Sequence, residues 1–216
     1  PRRWAVLGWR VATGKGAAGL RETVGRLVAD GAVGSWGVTA GQDLLLLGGG
    51  DREAVGHLRR SNGVPVASDR SPTRNLAIAC PALPTCSKAL GEAERVLPQV
   101  VDRLEKVLAD TGNTGLPLRL NMTGCPNGCS RPYAAELGIV GRTKTGYDVY
   151  VGGSAAGDRL AKRVREDVPL DEIPDMLRPL LERFSRDVGP GKKTSFGDWA
   201  MQLEWTSLLA LLPTTT

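Results

Sequence analysis

Four cysteines are the residues of this chain whose type and spacing point to chemistry. They form two close pairs, Cys80-Pro-Ala-Leu-Pro-Thr-Cys86 and Cys125-Pro-Asn-Gly-Cys129, with residues 87–124 between them. Thiolates are soft ligands that suit iron–sulfur clusters or zinc. Loops rich in Pro and Gly cannot run regular ladders, so their backbone N–H groups are free to turn toward anionic sulfur. Cys86 is expected to precede a long helix, whose N-terminal dipole would favour a thiolate. On the residues alone three other readings stay open. The pairs could be disulfides, or the four thiols could hold a structural zinc, although the five-residue gap with two prolines exceeds the usual spacing. They could also be inert buried thiols. His57, the only histidine, lies in the cationic run GHLRR and reads as a surface residue.

The elements that must position these loops read as α/β, in two parts. Residues 1–70 resemble a ferredoxin-like, split βαβ half-domain in the order β-α-β-β-α. WAVLGWRV (4–11) is strand-like, residues 17–30 place Leu20, Val24, Leu27 and Val28 at helical spacing, and Gly31 is a plausible cap. SWGVT and DLLLLG form a strand pair around Ala40–Gly41–Gln42, and Asp51 begins a second helix ending at Asn62–Gly63. Residues 65–74, polar and proline-containing, form the connection.

The second part, residues 76–200, is a mixed α/β domain that holds both cysteine pairs. A helix is expected over 88–109, with Leu90, Ala93, Leu97, Val101, Leu104 and Leu108 on one face and Pro98 as a kink. LRLNM (118–122), ELGIVG and YDVYVGG read as strands, and a helix starts at Asp171 with Pro174 in its first turn. Residues 201–216 form an amphipathic tail with a threonine-rich end expected to fray. The chain begins with Pro1 rather than Met, so a fragment or processed product is expected.

Composition bounds the function class. Hydrophobic residues are 41%, charged residues 24% and mean hydropathy is −0.15, as in an ordinary globular protein. No apolar run approaches the roughly 20 residues of a membrane span. Net charge is +5, which suits an acidic partner. The cations are scattered and aromatics are only 5%, so nucleic-acid binding is not expected. The glycine triplet at 48–50 lacks a following GK[ST] and is no phosphate loop.

The segments LAIACPALPTCSKALGEAERVLP and RLNMTGCPNGCSRPYAAELGIVG resemble the cluster-binding segments of siroheme-dependent sulfite and nitrite reductases. YDVYVGGSAAGDRLA and SFGDW resemble that family's C-terminal region, so the likeness covers about residues 20 to 200. The resemblance implies a 4Fe–4S cluster on Cys80, Cys86, Cys125 and Cys129, with Cys129 bridging to a siroheme iron. Thr39 and Gln42 (GVTAGQDLLL) resemble the family's siroheme-contacting Thr-x-x-Gln strand, a plain edge turn being the alternative. Asn127 and Arg131 flank Cys129 and are candidates to touch the macrocycle or its carboxylates, with a solvated loop charge the alternative for Arg131.

Gly128, Arg131 and Tyr133 give the loop a likeness to ferredoxin-dependent sulfite reductases, with nitrite reduction to ammonia as the alternative. The implied reaction is the six-electron reduction of sulfite to sulfide in sulfur assimilation. The donor would be an acidic protein such as ferredoxin, in the cytoplasm or a plastid stroma. A whole enzyme is expected to be about twice as long, with the substrate-binding arginines and lysines mainly in an N-terminal half absent here. No catalytic residue is therefore named in this chain. WTSLLALLPTTT departs from the family's usual ending. The reading from another class is a non-catalytic binding module stabilised by zinc or by a structural cluster.

Overall fold

The computed structural model describes residues 7–10, 17–31, 35–38, 43–47, 53, 56–57, 61, 69–154, 156–189 and 194–213. The chain divides into two units, Pro1–Ser71 and Pro72–Thr216.

In the first unit, strand β1 (Leu7–Arg10) is followed by helix α1 (Ala17–Ala29) and strands β2 (Ser35–Val38) and β3 (Asp43–Leu47). Strand β3 lies between β1 and β2 and runs antiparallel to both, which is the split βαβ arrangement. Helix α1 turns Thr23 and Leu27, one turn apart, inward, and pairs Glu22 with Arg26 on its exposed side. Gly31, at φ 64°, donates its N–H to the Val28 carbonyl and closes the helix as a left-handed cap. Most of the second helix expected over 51–63 lies outside the described residues.

The second unit is built on a five-stranded sheet in simple sequential order. Its strands are β4 (Ile78–Ala79), β5 (Leu120–Thr123), β6 (Leu137–Gly141), β7 (Gly146–Val151) and β8 (Lys162–Pro169). Strands β4, β5 and β6 are parallel, and β7 runs antiparallel to both of its neighbours, β6 and β8. Strand alternation gives this sheet two different faces. Leu120, Met122, Leu137, Ile139, Val149 and Val151 are all buried in the apolar core with Val101, Leu104 and Leu108 of helix α3 (Leu97–Asp110). The opposite face carries buried polar side chains, Asn121, Thr123 and Asp148, and is covered by the loop after β5. Gly138 fits under that loop because a Cβ there would stand 2.3 Å from the Pro132 carbonyl oxygen.

The structure corrects the expected helix over 88–109. Helix α3 begins only at Leu97, with Pro98 in its first turn, where the missing N–H costs nothing. The N–H groups of Leu90 and Gly91 instead donate to the Gly124 carbonyl, at 2.8 and 2.9 Å, so they cannot join a helical ladder. Leu90, expected on the buried face, is 45% exposed. Cys86 therefore lies well ahead of the helix and gains no dipole from it.

Further differences are local. A short helix, α2 (Pro72–Leu76), forms at the end of the expected connection and runs past it, and its Thr73 hydroxyl donates to the Leu116 carbonyl at 2.6 Å. The helix expected from Asp171 is two helices, α4 (Ile173–Met176) and α5 (Arg178–Val188), each with a proline in its first turn. Helix α6 (Phe196–Ala200) packs Phe196 and Trp199 against Phe184, with centroids 5.6 and 5.2 Å away. Helix α7 (Trp205–Leu211) lies in the C-terminal tail, and Leu208 and Leu212 are buried in the same core. Arg165 ties this end to β8 through the carbonyls of Leu212 and Pro213. Among the described residues no helix is long and apolar enough to cross a membrane.

Candidate functional site

Both cysteine pairs start at the carboxyl ends of neighbouring parallel strands, Cys80 directly after β4 and Cys125 just after β5. In open α/β sheets that end of the strands is where ligands bind. The strands place the first cysteine of each pair side by side, because the Cys80 N–H donates to the Met122 carbonyl and the Gly124 N–H reaches Cys80 Sγ at 3.4 Å.

Gly124 is where the two loops meet. A Cβ there would lie 2.5 Å from Ala82 Cβ and 2.6 Å from the Gly91 carbonyl oxygen. Its carbonyl oxygen holds the far end of the first loop through Leu90 and Gly91. That first loop turns tightly. Ala82 sits in the left-handed region at φ 53°, Leu83–Pro84 is cis, and the Cys86 N–H closes back on the Ala82 carbonyl at 2.7 Å.

The second loop is fixed by the strand it leaves. Asn121 Nδ2 donates to the carbonyls of Ser130 and Arg131, at 2.8 and 3.1 Å, and the Ser130 hydroxyl donates to the Met122 carbonyl at 2.6 Å. Tyr133 donates its hydroxyl to the Pro126 carbonyl at 2.9 Å and packs edge-on against Tyr150, with centroids 5.1 Å apart. Gly128, at φ 67°, leaves room for that ring, since a Cβ would stand 2.8 Å from Tyr133 Cε2. Burial, then the charges of Tyr150, Asp148 and Cys125, push the Tyr133 phenol upward, so it stays a neutral donor.

All four cysteines are free thiols, which removes the disulfide reading. Cys125 is buried, Cys80 and Cys86 are partly buried, and Cys129 is exposed, so the set grades from interior to surface. Among the described residues, no three His, Cys, Asp or Glu side chains are disposed to hold one metal ion. A tetrahedral zinc with bonds of about 2.3 Å would draw its sulfurs to within about 4 Å of one another. A polynuclear group, in which each thiol bonds a different metal atom, makes no such demand. The donor set of four thiols on two mutually braced loops fits such a group.

Of the other expected residues, Asn127 and Arg131 are exposed on the second loop, Arg131 in the left-handed region at φ 58°. Thr39 and Gln42 lie outside the described residues. His57 is exposed. Sequence reasoning overlooked Asn121, Thr123 and Ser130, polar residues at or beside β5. The polar alternation within Leu120–Thr123 was their only sign.

Residues 72–214 match the family described as nitrite and sulphite reductase 4Fe-4S domain. The chain is similar to proteins named sulfite reductase (NADPH) hemoprotein beta-component. The relative from Myxococcus xanthus is 41% identical over 89% of this chain and 34% of its own length. That from Acidithiobacillus ferrooxidans is 43% identical over 75% of this chain and 29% of its own. Among solved structures, the NirA protein of Mycobacterium tuberculosis shares the fold, with a TM-score of 0.73 at 22% identity over 94% of this chain and 38% of that one. The chain thus spans about a third of the length of the curated relatives it matches, less than the half expected.

Proposed function

The chain belongs to the nitrite and sulphite reductase family, and on that premise we propose that it is the part of a sulfite reductase that carries a 4Fe–4S cluster and one side of a siroheme. Cys80, Cys86, Cys125 and Cys129 are the proposed cluster ligands, and Cys129 is also the proposed bridge to the siroheme iron. The observation that carries this reading is the bracing of the two cysteine loops on Gly124, at one end of two parallel strands. Cys129 suits the bridging role because it is the exposed thiol of the set, beside the exposed Asn127 and Arg131. These two side chains are the proposed contacts to the macrocycle and its carboxylates, together with Thr39 and Gln42.

When bound, the paired cofactors supply one-electron carriers for the six-electron reduction of sulfite to sulfide. This chain's own residues hold and shield. Asn121 and Ser130 fix the return of the second loop, Tyr133 fixes its tip through Pro126, and the first loop is held against Gly124 through Leu90 and Gly91. The cationic groups that would bind the anion and deliver protons are proposed to come from the rest of the protein, since the chain is about a third of its relatives. Those relatives' names carry NADPH, which favours an NADPH-fed donor on a separate polypeptide; an acidic ferredoxin is the alternative.

The test is anaerobic reconstitution of the chain with iron and sulfide. The expected product binds about four irons and four sulfides per chain and shows a broad band near roughly 400 nm. Cys80→Ser should lower both contents. Uptake of one zinc per chain with no labile sulfide would refute the reading. Joined to the rest of its protein, supplied with siroheme and fed electrons by reduced methyl viologen, it should release sulfide from sulfite, and ammonia release from nitrite alone would favour the alternative substrate.

A further inference from the structure

Thr123 is fully buried at the end of β5, on the polar face of the sheet. Its hydroxyl lies 3.3 Å from Cys80 Sγ, which is the one partner the structure gives it among the described residues. The Gly124 N–H approaches the same sulfur at 3.4 Å. Among the described residues, Cys80 is the only one of the four cysteines whose sulfur makes hydrogen-bond contacts, with the Gly124 N–H as donor and with the Thr123 hydroxyl, where either atom can donate.

A buried hydroxyl needs a partner, and a protonated thiol is a poor one. A thiolate is a far better acceptor, and hydrogen bonds to an ionised group are about twice as strong as neutral ones. If Cys80 ligates iron as proposed, its sulfur is a thiolate, and the Thr123 hydroxyl 3.3 Å away is placed to donate to it. We infer that Thr123 is a positioning residue that sets the reduction potential of the metal group on Cys80, by donating its hydroxyl to that sulfur. The inference rests on the proposed cluster ligation.

The physical consequence has a sign. One-electron reduction adds one negative charge to the cluster and its thiolates, with no bond made or broken. A donor to a ligand sulfur stabilises the more negative state more, and so raises the potential. Removing the hydroxyl must lower it. The Gly124 N–H remains, so the loss is partial.

The experiment uses the reconstituted chain, titrated with dithionite and followed by visible absorbance and by EPR of the reduced cluster. Thr123→Val deletes the hydroxyl and keeps the shape, Thr123→Ala deletes it with no steric demand, and Thr123→Ser keeps it. At a fixed solution potential, the reduced-to-oxidised ratio in the Val and Ala variants should fall about threefold to tenfold, the upper limit being about 59 mV for one electron. The Ser variant should stay near wild type. An unchanged potential in the Val or Ala variant overturns the inference. So does failure of both to take up a cluster that the Ser variant holds, because the hydroxyl would then serve assembly rather than potential. If the wild-type chain itself takes up no cluster, the proposed ligation fails first, and the inference fails with it.

Discussion

Gly124→Ala is the smallest change that should separate the two cysteine loops. The new methyl carbon would stand 2.5 Å from Ala82 Cβ, 2.6 Å from the Gly91 carbonyl oxygen and 3.2 Å from Ala89 Cβ. Carbon atoms rest at about 3.5–4.0 Å, so the nearest contact is about 1 Å too short. No flexible side chain can swing aside, because the opposing atoms are two Cβ carbons and a main-chain carbonyl. The first loop must move as a body. Movement lengthens the 2.8 and 2.9 Å hydrogen bonds from Leu90 and Gly91 to the Gly124 carbonyl. Overpacking costs about 1–3 kcal/mol, and two lost hydrogen bonds add about 1 kcal/mol each. A total of about 3–5 kcal/mol corresponds to a fall in melting temperature of roughly 6–20 °C for a chain of this size. The assay is thermal unfolding of the metal-free chain by circular dichroism. Gly25→Ala is the control, since that glycine is inside α1 with nothing within 4 Å of a new Cβ, and it should gain about 0.5–1 kcal/mol. A Gly124→Ala variant melting within about 2 °C of wild type would refute the claim that the loops meet without slack.

Two further outcomes follow from buried or bridging carboxylates. Glu136 is buried and accepts the backbone N–H of Arg119 at 2.9 Å and of Gly197 at 3.0 Å, so Glu136→Ala leaves two donors unmet and should cost about 2–5 kcal/mol in urea unfolding, with Glu136→Gln between it and wild type. Asp187 is held below its ordinary value by the Arg183 guanidinium, with a smaller push from the Trp199 indole N–H and partial desolvation opposing. A depressed carboxylate adds stability that is full above its unfolded value and lost as pH falls through its folded value. The melting-temperature gap between wild type and Asp187→Asn should therefore be widest above about pH 4 and close on acidification below it, and a gap independent of pH would exclude that origin.

What the sequence made legible was local. Each cysteine pair is a short loop whose Pro and Gly residues announce a turn, and the stripe Val101, Leu104 and Leu108 announces α3. The helix start was misjudged because Leu90 and Ala93 extend the stripe's spacing; Ala93 does reach the core, but the N–H groups of Leu90 and Gly91 are taken by the Gly124 carbonyl, more than thirty residues away. Strand β8 went unread because only Val164 and Val168 of KRVREDVP are buried. Its charges pair instead with one another and with Asp148, as Arg163 does at 3.3 Å. The partnership of Thr123 with Cys80 spans 43 residues and leaves no periodic trace.

The register of β5 links these observations. Leu120 and Met122 point into the apolar core, so Asn121 and Thr123 must point to the other face, where the cysteine loops lie. A slip of one residue would send both polar side chains into the core, and the burial of Leu120 and Met122 therefore fixes the polar pair. Asn121 grips the loop's return at Ser130 and Arg131, Thr123 meets Cys80, and Ser130 reaches back to Met122. Both ends of the second loop are thus tied to the strand it leaves. The anchoring of the second loop, and the contact with Cys80, follow from hydrophobic burial on one face of one short strand, transmitted to the other face by alternation.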